Sequence, residues 1–232
     1  MTMNLKIVGL VGSPRKEGNT EMMVNTALKS AQETAGVQTE MITMAGRLVA
    51  PCVGCSYCFF HDGKCKVQDD AAEIIQKMVE ADGLIIGSPV YFGSLTATLK
   101  ALLERCLKLN MLKHPSGNRP YEEFKDDEVV FPLRNKVGGA IAVGGAPSGG
   151  QEKVIIDIHA FFHLNDMIVV SDGGIRTPAV HPHFGGVGQA RRKKEIAQDS
   201  YGLATSRSIG MRVAEVAQLI RLGIDARNGQ KP

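Results

Sequence analysis

The sequence predicts an α/β protein built on a doubly wound, five-stranded parallel sheet with helices on both faces. Three observations carry that expectation. Short apolar β-type runs alternate with amphipathic helical stretches along the chain, the pattern of strand–crossover–strand units. The first, third and fourth runs end in loops rich in glycine and proline that lead into a helix. The composition, 44% hydrophobic and 22% charged over 232 residues, supplies a full core for a single globular domain.

The elements follow in order. Leu5–Val11 is a continuous β-type run, closed by Gly12-Ser13-Pro14-Arg15, a loop that excludes helix. From Thr20 to about Ala35, Val24, Ala27, Leu28, Ala31 and Ala35 share one helical face. Val37–Met44 is the second strand. Asp70 is a candidate N-cap with Glu73 three residues on, opening a helix to about Glu80. Gly83–Gly87 is a short buried strand, and Leu95, Leu99, Leu102, Leu103 and Cys106 line the helix after it. Lys136–Val143 and Met167–Val170 are the fourth and fifth strands, separated by a helix over Gln151–Leu164. Arg191–Leu222 reads as a final helical region, interrupted near Tyr201-Gly202. Two segments exceed a minimal domain of this kind, residues 109–133 and 177–188, and read as inserted loops.

Bulk properties exclude several classes of function. A net charge of +3, with 5% aromatic residues and no Trp, gives neither a basic footprint nor a stacking platform for nucleic acid. No run of about eighteen apolar residues exists to span a membrane. The start of the chain lacks a basic segment followed by a longer apolar one, so no signal peptide is expected and the expected compartment is the cytoplasm.

In a parallel sheet, ligands sit beyond the carboxyl ends of the strands. The loop Gly12-Ser13-Pro14-Arg15-Lys16-Glu17-Gly18-Asn19-Thr20 lies at such an end, before a helix N-terminus whose free N–H groups suit a phosphate. Ser13, Asn19 and Thr20 add short polar groups, Arg15 a charge, and Gly18 room for close approach. The loop has neither the GxxxxGK[ST] nor the GxGxxG spacing, which disfavours a nucleoside triphosphate or a standard dinucleotide site. An ordinary well-capped strand–helix turn remains the alternative. After the third strand comes Gly87-Ser88-Pro89-Val90-Tyr91-Phe92-Gly93-Ser94, where Pro89 fixes the chain, Tyr91 and Phe92 offer flat apolar surface and Gly93 permits close approach. After the fourth comes Gly144-Gly145-Ala146-Pro147-Ser148-Gly149-Gly150-Gln151-Glu152.

Four of the five cysteines form Cys52-x2-Cys55-x2-Cys58-x6-Cys65. In a reducing compartment such clustering points to metal rather than disulfides. Three thiolates within seven residues favour a [4Fe–4S] cluster over structural zinc, whose ligands come as two pairs across a longer spacer. Zinc and free thiols stay open as alternatives.

These motifs together resemble a known family. GSPRKEGNT is similar to the FMN phosphate loop of the NADPH-dependent FMN reductase family, a flavodoxin-like group, and Pro89–Gly93 to the stretch that lies along the isoalloxazine ring there. The cysteine motif, Val143–Lys153, Ile158-His159-Ala160, Met167–Val170 and His183–Gly186 resemble the archaeal-type iron–sulfur flavoproteins. The resemblance implies strand order 2-1-3-4-5 and a single domain over residues 1–232, with a cluster loop over 50–66. It implies FMN held by Ser13, Arg15, Gly18, Asn19, Thr20, Pro89, Val90, Tyr91, Phe92, Gly93, Gly145, Ala146, Gly149 and Gly150. It implies a [4Fe–4S] cluster on Cys52, Cys55, Cys58 and Cys65. It also implies a homo-oligomer, dimer or tetramer, in which the cluster of one subunit faces the FMN of another, and a one-electron donor such as ferredoxin.

The expected activity is FMN-dependent electron transfer, passing single electrons between such a donor and FMN. Two alternatives are a cluster-free NAD(P)H-dependent FMN or quinone reductase and a non-enzymatic, zinc-stabilised binding module. No catalytic acid or base is expected. Cys106 reads as core, His159 and His163 as packing or interface, His181 and His183 as surface loop, and Arg191-Arg192-Lys193-Lys194 as a solvated helix end able to attract an acidic partner.

Overall fold

The computed structural model describes residues 4–109, 111–112, 129–173 and 183–229. In chain order the elements are β1 (Leu5–Val11), α1 (Asn19–Gln32), β2 (Val37–Thr43), α2 (Ala71–Glu80), β3 (Gly83–Pro89) and α3 (Ala97–Arg105). Then come β4 (Met111–Leu112), β5 (Val129–Val130), β6 (Val137–Gly144), α4 (Gln151–Leu164), β7 (Ile168–Val170), β8 (Gly186–Gln189) and α5 (Ser200–Gly229). The main sheet runs β2-β1-β3-β6-β7 and all its pairings are parallel. This is the flavodoxin-like order, with β6 and β7 in the fourth and fifth places.

Burial on both faces explains the unbroken apolar strands. Along β1, Val8 and Leu10 join one core, and Ile7 and Val11 the other. Leu84 and Ile86 of β3, with Ala140 and Ala142 of β6, pack against α2, α3 and α4. Ile85, Ile141 and Val143 face α1 and α5. The side chains alternate as a pleated strand requires. Helices α1 and α5 come so close that a Cβ on Gly210 would overlap the carbonyl of Ala27, which explains the glycine there.

The structure revises four expectations. Helix α1 stops at Gln32, so Ala35 lies outside it. Asp70 stands at the N-cap of α2 but makes no side-chain cap bond. Its carboxylate accepts instead from the Leu48 amide at 2.7 Å and from Arg47 at 3.1 Å. Neighbouring Asp69 takes over the helix start, accepting from Ala71 N at 3.1 Å. The predicted break at Tyr201-Gly202 is displaced to Asp199, between a short 3₁₀ turn (Glu195–Gln198) and α5. The Asp199 carboxylate accepts from Gly202 N at 2.8 Å. Gly202 is required for approach, since its Cβ would stand 3.0 Å from the Gly188 Cα.

The fourth revision concerns residues 177–188. Gly186–Gln189 form a strand that pairs with Ile141–Gly144, while β7 pairs with Val137–Gly139. Because β3 occupies the other edge of β6, β7 and β8 share its outer edge. Residues 177–182 of that segment, His181 among them, lie outside the described residues. So does most of the 109–133 segment, whose ends supply the short antiparallel pair β4–β5. Among the described residues no helix is long and apolar enough to cross a membrane.

Candidate functional site

Parallel strands bring the loops after β1, β2, β3 and β6 to one edge of the sheet. The contacts between them build the candidate site there.

The loop after β1 is tied down first. Gly12 N donates to the Gly87 carbonyl at 2.7 Å, and the Gly12 carbonyl accepts from Thr96 Oγ1 at 2.6 Å. Ser13 is buried, and its hydroxyl accepts from Arg15 N at 3.1 Å, which turns the loop outward. Gly18 stands at the N-cap of α1. The first helical amide to find a carbonyl is Met22 N, on Gly18 at 3.1 Å. The N–H groups of Asn19, Thr20 and Glu21 are therefore left without an intrahelical acceptor, a partial positive charge suited to an anion. Thr20 is buried against β3, close to Gly87.

The Asn19 side chain is engaged elsewhere. Its Nδ2 donates to the Arg192 carbonyl at 2.8 Å, and its Oδ1 accepts from Ile196 N at 3.3 Å. The segment after β8 thus forms a strap across the site. Ala190 N donates to the Gly144 carbonyl at 2.9 Å, and Arg191 Nε to the Gly145 carbonyl at 2.9 Å. The Glu195 carboxylate accepts from the amides of Arg192 and Arg191, at 2.7 and 2.6 Å, which holds its pKa below the usual value. Arg191–Lys194 are exposed, as expected, but they lie in this strap rather than on a helix.

After β3, Val90 N donates to the Val143 carbonyl at 2.8 Å. Tyr91 and Ser94 then exchange backbone bonds of 2.8 and 3.1 Å around Phe92 and Gly93, whose φ values are +50° and +80°. Positive φ at both central positions makes this a type I′ turn. It holds Phe92 fully exposed at 111%, in a conformation an aromatic residue rarely adopts. Residues held in such strained conformations cluster at active sites and ligand clamps.

The loop after β6 is organised by Gln151, a residue whose role the sequence did not reveal. It is buried, donates from Nε2 to the Ala146 carbonyl at 2.7 Å and accepts from Gly149 N at 2.8 Å. Gly150 has φ +99°, and a Cβ there would come within 3.4 Å of the Gly93 Cα, so this loop abuts the Tyr91–Ser94 turn. Pro89, Val90, Tyr91, Phe92 and Gly93 and the Gly145–Gly150 stretch therefore meet, and Thr96 joins both β1 and β3 ends.

The cysteine loop follows β2 and is closed at its base by two carboxylates. Ala50 N donates to Asp69 Oδ2 at 2.9 Å, beside the Leu48–Asp70 bond. Gly54, Ser56, Asp62 and Gly63 all take positive φ, which lets the chain double back between the cysteines. The spacer before Cys65 is folded on itself. Gly63 N donates to the Cys58 carbonyl at 3.0 Å, and the Tyr57 and His61 rings stack 3.6 Å apart.

Cys52, Cys55, Cys58 and Cys65 all line one cavity, together with Val67 and Arg105, and all are free thiols. Burial, and then the other three cysteines, hold the Cys58 thiol above its ordinary pKa. Among the described residues no three side chains stand in a metal-ligating group. Four thiols gathered in one cavity are the donor set that a thiolate-held cluster takes. Cys106 is apart from them, buried in the core with its thiol pushed up to about 12 by burial.

A second cavity of about 910 Å³ lies between α3 and α4, an apolar groove lined by Phe92, Leu95, Leu103, Leu107, Phe161 and Leu164.

Comparison with known proteins gives the chain's family. Residues 5–179 match the family model described as NADPH-dependent FMN reductase. The chain is 44% identical, over 94% of its length and all of the relative's, to an iron–sulfur flavoprotein of Methanocaldococcus jannaschii. To an iron–sulfur flavoprotein of Methanosarcina thermophila it is 36% identical, over 95% of this chain and all of the other. Its fold matches the WrbA-like flavodoxin of Agrobacterium tumefaciens with a TM-score of 0.56 at 15% identity, covering 93% and 98% of the two chains. The chain belongs to the NADPH-dependent FMN reductase family, among its iron–sulfur flavoproteins, and is a flavin-dependent oxidoreductase that uses FMN.

Proposed function

We propose that this flavoprotein transfers electrons through two centres: FMN across the loops after β1, β3 and β6, and one [4Fe–4S] cluster held by Cys52, Cys55, Cys58 and Cys65. The observation that carries the reading is that four thiols from one loop line a single cavity, while the loops after β1, β3 and β6 are tied together at one edge of the sheet. When bound, FMN supplies one- and two-electron chemistry and a cluster supplies single electrons.

The chain's own residues supply position. The free amides at Asn19, Thr20 and Glu21, with Ser13, Arg15 and Gly18 around them, hold the phosphate. The Pro89–Gly93 turn and the Gly145, Ala146, Gly149 and Gly150 backbone frame the ring. The strap anchored on Asn19 and Gly145 excludes water from that rim. The electron donor is a one-electron carrier such as ferredoxin, and NAD(P)H is a second donor. The protein works as a homo-oligomer, dimer or tetramer, in which the α3–α4 groove and Phe92 are covered.

A cluster-free NAD(P)H-dependent reductase is the competing reading, favoured by the thiols not standing in a ligating arrangement. The visible spectrum of anaerobically purified protein decides. Flavin bands with a broad brown shoulder support two centres, and two flavin bands alone overturn the cluster. Zinc is recognised by metal analysis of a protein with no such shoulder.

A further inference from the structure

The end of α3 carries a charge where the core should be apolar. Arg105 is 4% exposed, between buried Leu102 and Cys106. Its side chain and that of Asp69 are each 2% exposed, and they meet as a fork: Nη1 to Oδ2 at 2.8 Å and Nη2 to Oδ1 at 3.2 Å. Burying such a pair costs several kcal/mol per ion in desolvation, and a well-packed apolar pair would often be at least as stable. Stability alone therefore does not account for it.

The remaining bonds of the guanidinium show what it does. Nη1 also donates to the Ala50 carbonyl and Nη2 to the Val67 carbonyl, both at 3.2 Å. Ala50 precedes Cys52 and Val67 follows Cys65, so one side chain grips both arms of the cysteine loop. It lines the same cavity as the four thiols and lies beside Cys65. Its Nε is buried and has no hydrogen-bond partner among the described residues, an unusual state for a buried donor. Hydrogen bonds and charge around the sulfurs are what set a cluster's potential.

We propose that Arg105 is a positioning residue for the cluster, closing the cysteine loop at both arms and placing a fixed positive charge against its sulfurs, so that the cluster is retained and its reduction potential raised. Asp69 orients the fork. This rests on the two-centre reading above. Lysine keeps the charge but lacks the planar fork, so it separates the two halves of the role.

The test uses full-length protein reconstituted anaerobically: wild type, Arg105→Lys, Arg105→Met and the double variant Arg105→Met with Asp69→Asn. The readouts are iron and acid-labile sulfide per chain, the rate of iron loss to a chelator, and the cluster midpoint potential followed by electron paramagnetic resonance. A thermal melt by circular dichroism checks the fold. Arg105→Met loses iron roughly tenfold faster or more, and its potential moves to more negative values. Arg105→Lys holds the wild-type potential but loses iron faster. The double variant, free of an orphaned carboxylate, melts near wild type yet keeps the negative shift. If the double variant retains iron and potential as wild type does, the proposal is overturned. Faster iron loss with no potential shift in either Met variant also overturns it, leaving a structural clamp only. A wild-type chain that takes up no cluster overturns the two-centre reading itself, and the role of Arg105 with it.

Discussion

Asn19 and Arg192 are 173 positions apart in the chain and are joined by a hydrogen bond from the Asn19 amide to the Arg192 carbonyl at 2.8 Å. The bond fastens the strap after β8 to the start of α1. Both polar atoms of the Asn19 side chain are thus committed to the strap, which leaves its backbone N–H as the group it can offer an anion.

A first prediction follows from that division of labour. Asn19→Ala removes two bonds, worth together about 1–2 kcal/mol, and weakens FMN binding roughly tenfold by releasing the strap. Adding Thr20→Val weakens it further. Quenching of FMN fluorescence on titration into apoprotein measures both. Stoichiometric FMN copurifying with the double variant would remove the phosphate assignment.

The cysteine loop makes a second. Cys58 stands in the middle of the motif, and no other cysteine of the loop replaces it. Cys58→Ala loses or alters the cluster and keeps FMN, whose loops follow other strands. Reduction by ferredoxin slows by roughly an order of magnitude or more, while reduction by NAD(P)H changes little. Stopped-flow traces with each donor check this, and a wild-type rate with ferredoxin takes the cluster off the path.

Alkaline stability gives a third. Folding raises the Cys106 thiol from 9.0 to about 12. Above pH 9 the unfolded chain releases this proton and the folded chain does not, so the unfolded state gains. The contribution is fully present below pH 9 and is lost as pH rises toward 12, at about 1.4 kcal/mol per pH unit. Cys106→Ala lowers stability at neutral pH through the lost packing but flattens that alkaline slope. Urea denaturation at pH 8, 9 and 10 distinguishes the slopes, and parallel curves for the two proteins would refute the assignment.

The fourth concerns assembly. Leu107 and Leu164 are 47% and 72% exposed at the α3–α4 groove, and Phe92 projects beside them. Apolar surface of that kind marks an interface. Light scattering at micromolar concentration gives a dimer or tetramer, and Leu107→Glu shifts it toward monomer. A wild-type monomer ends the idea. A variant that keeps the wild-type assembly places the contact elsewhere.

Much of this was readable from the sequence, for physical reasons. Strands β1, β3 and β6 are buried on both faces and so read as unbroken apolar runs. Gln151–Leu164 appears in the structure with the same bounds. The three loops and the four cysteines announced themselves through glycine, proline and thiol spacing. What escaped was long-range or side-chain specific. β8 is four residues, half of them glycine, too short and too weak in β-propensity to stand out from a loop. Asp70 fits a capping pattern but is drawn to Leu48 and Arg47 by the fold. Gln151 and Arg105 look like ordinary polar residues of helices until their partners, brought in by other loops, are known.

The shared outer edge of β6 has a consequence for how the protein is made. By the time β7 has been synthesised, five positions of the sheet can be filled and the loops after β1, β3 and β6 stand together. The site is still open, because its strap belongs to β8 and the turn after it. One face of that sheet also still lacks α5, whose Ile209, Val213 and Ala217 complete the core against β1, β3 and β6. The Asn19–Arg192 tie joins positions 173 apart, so the strap and α5 settle together once nearly the whole chain has been made.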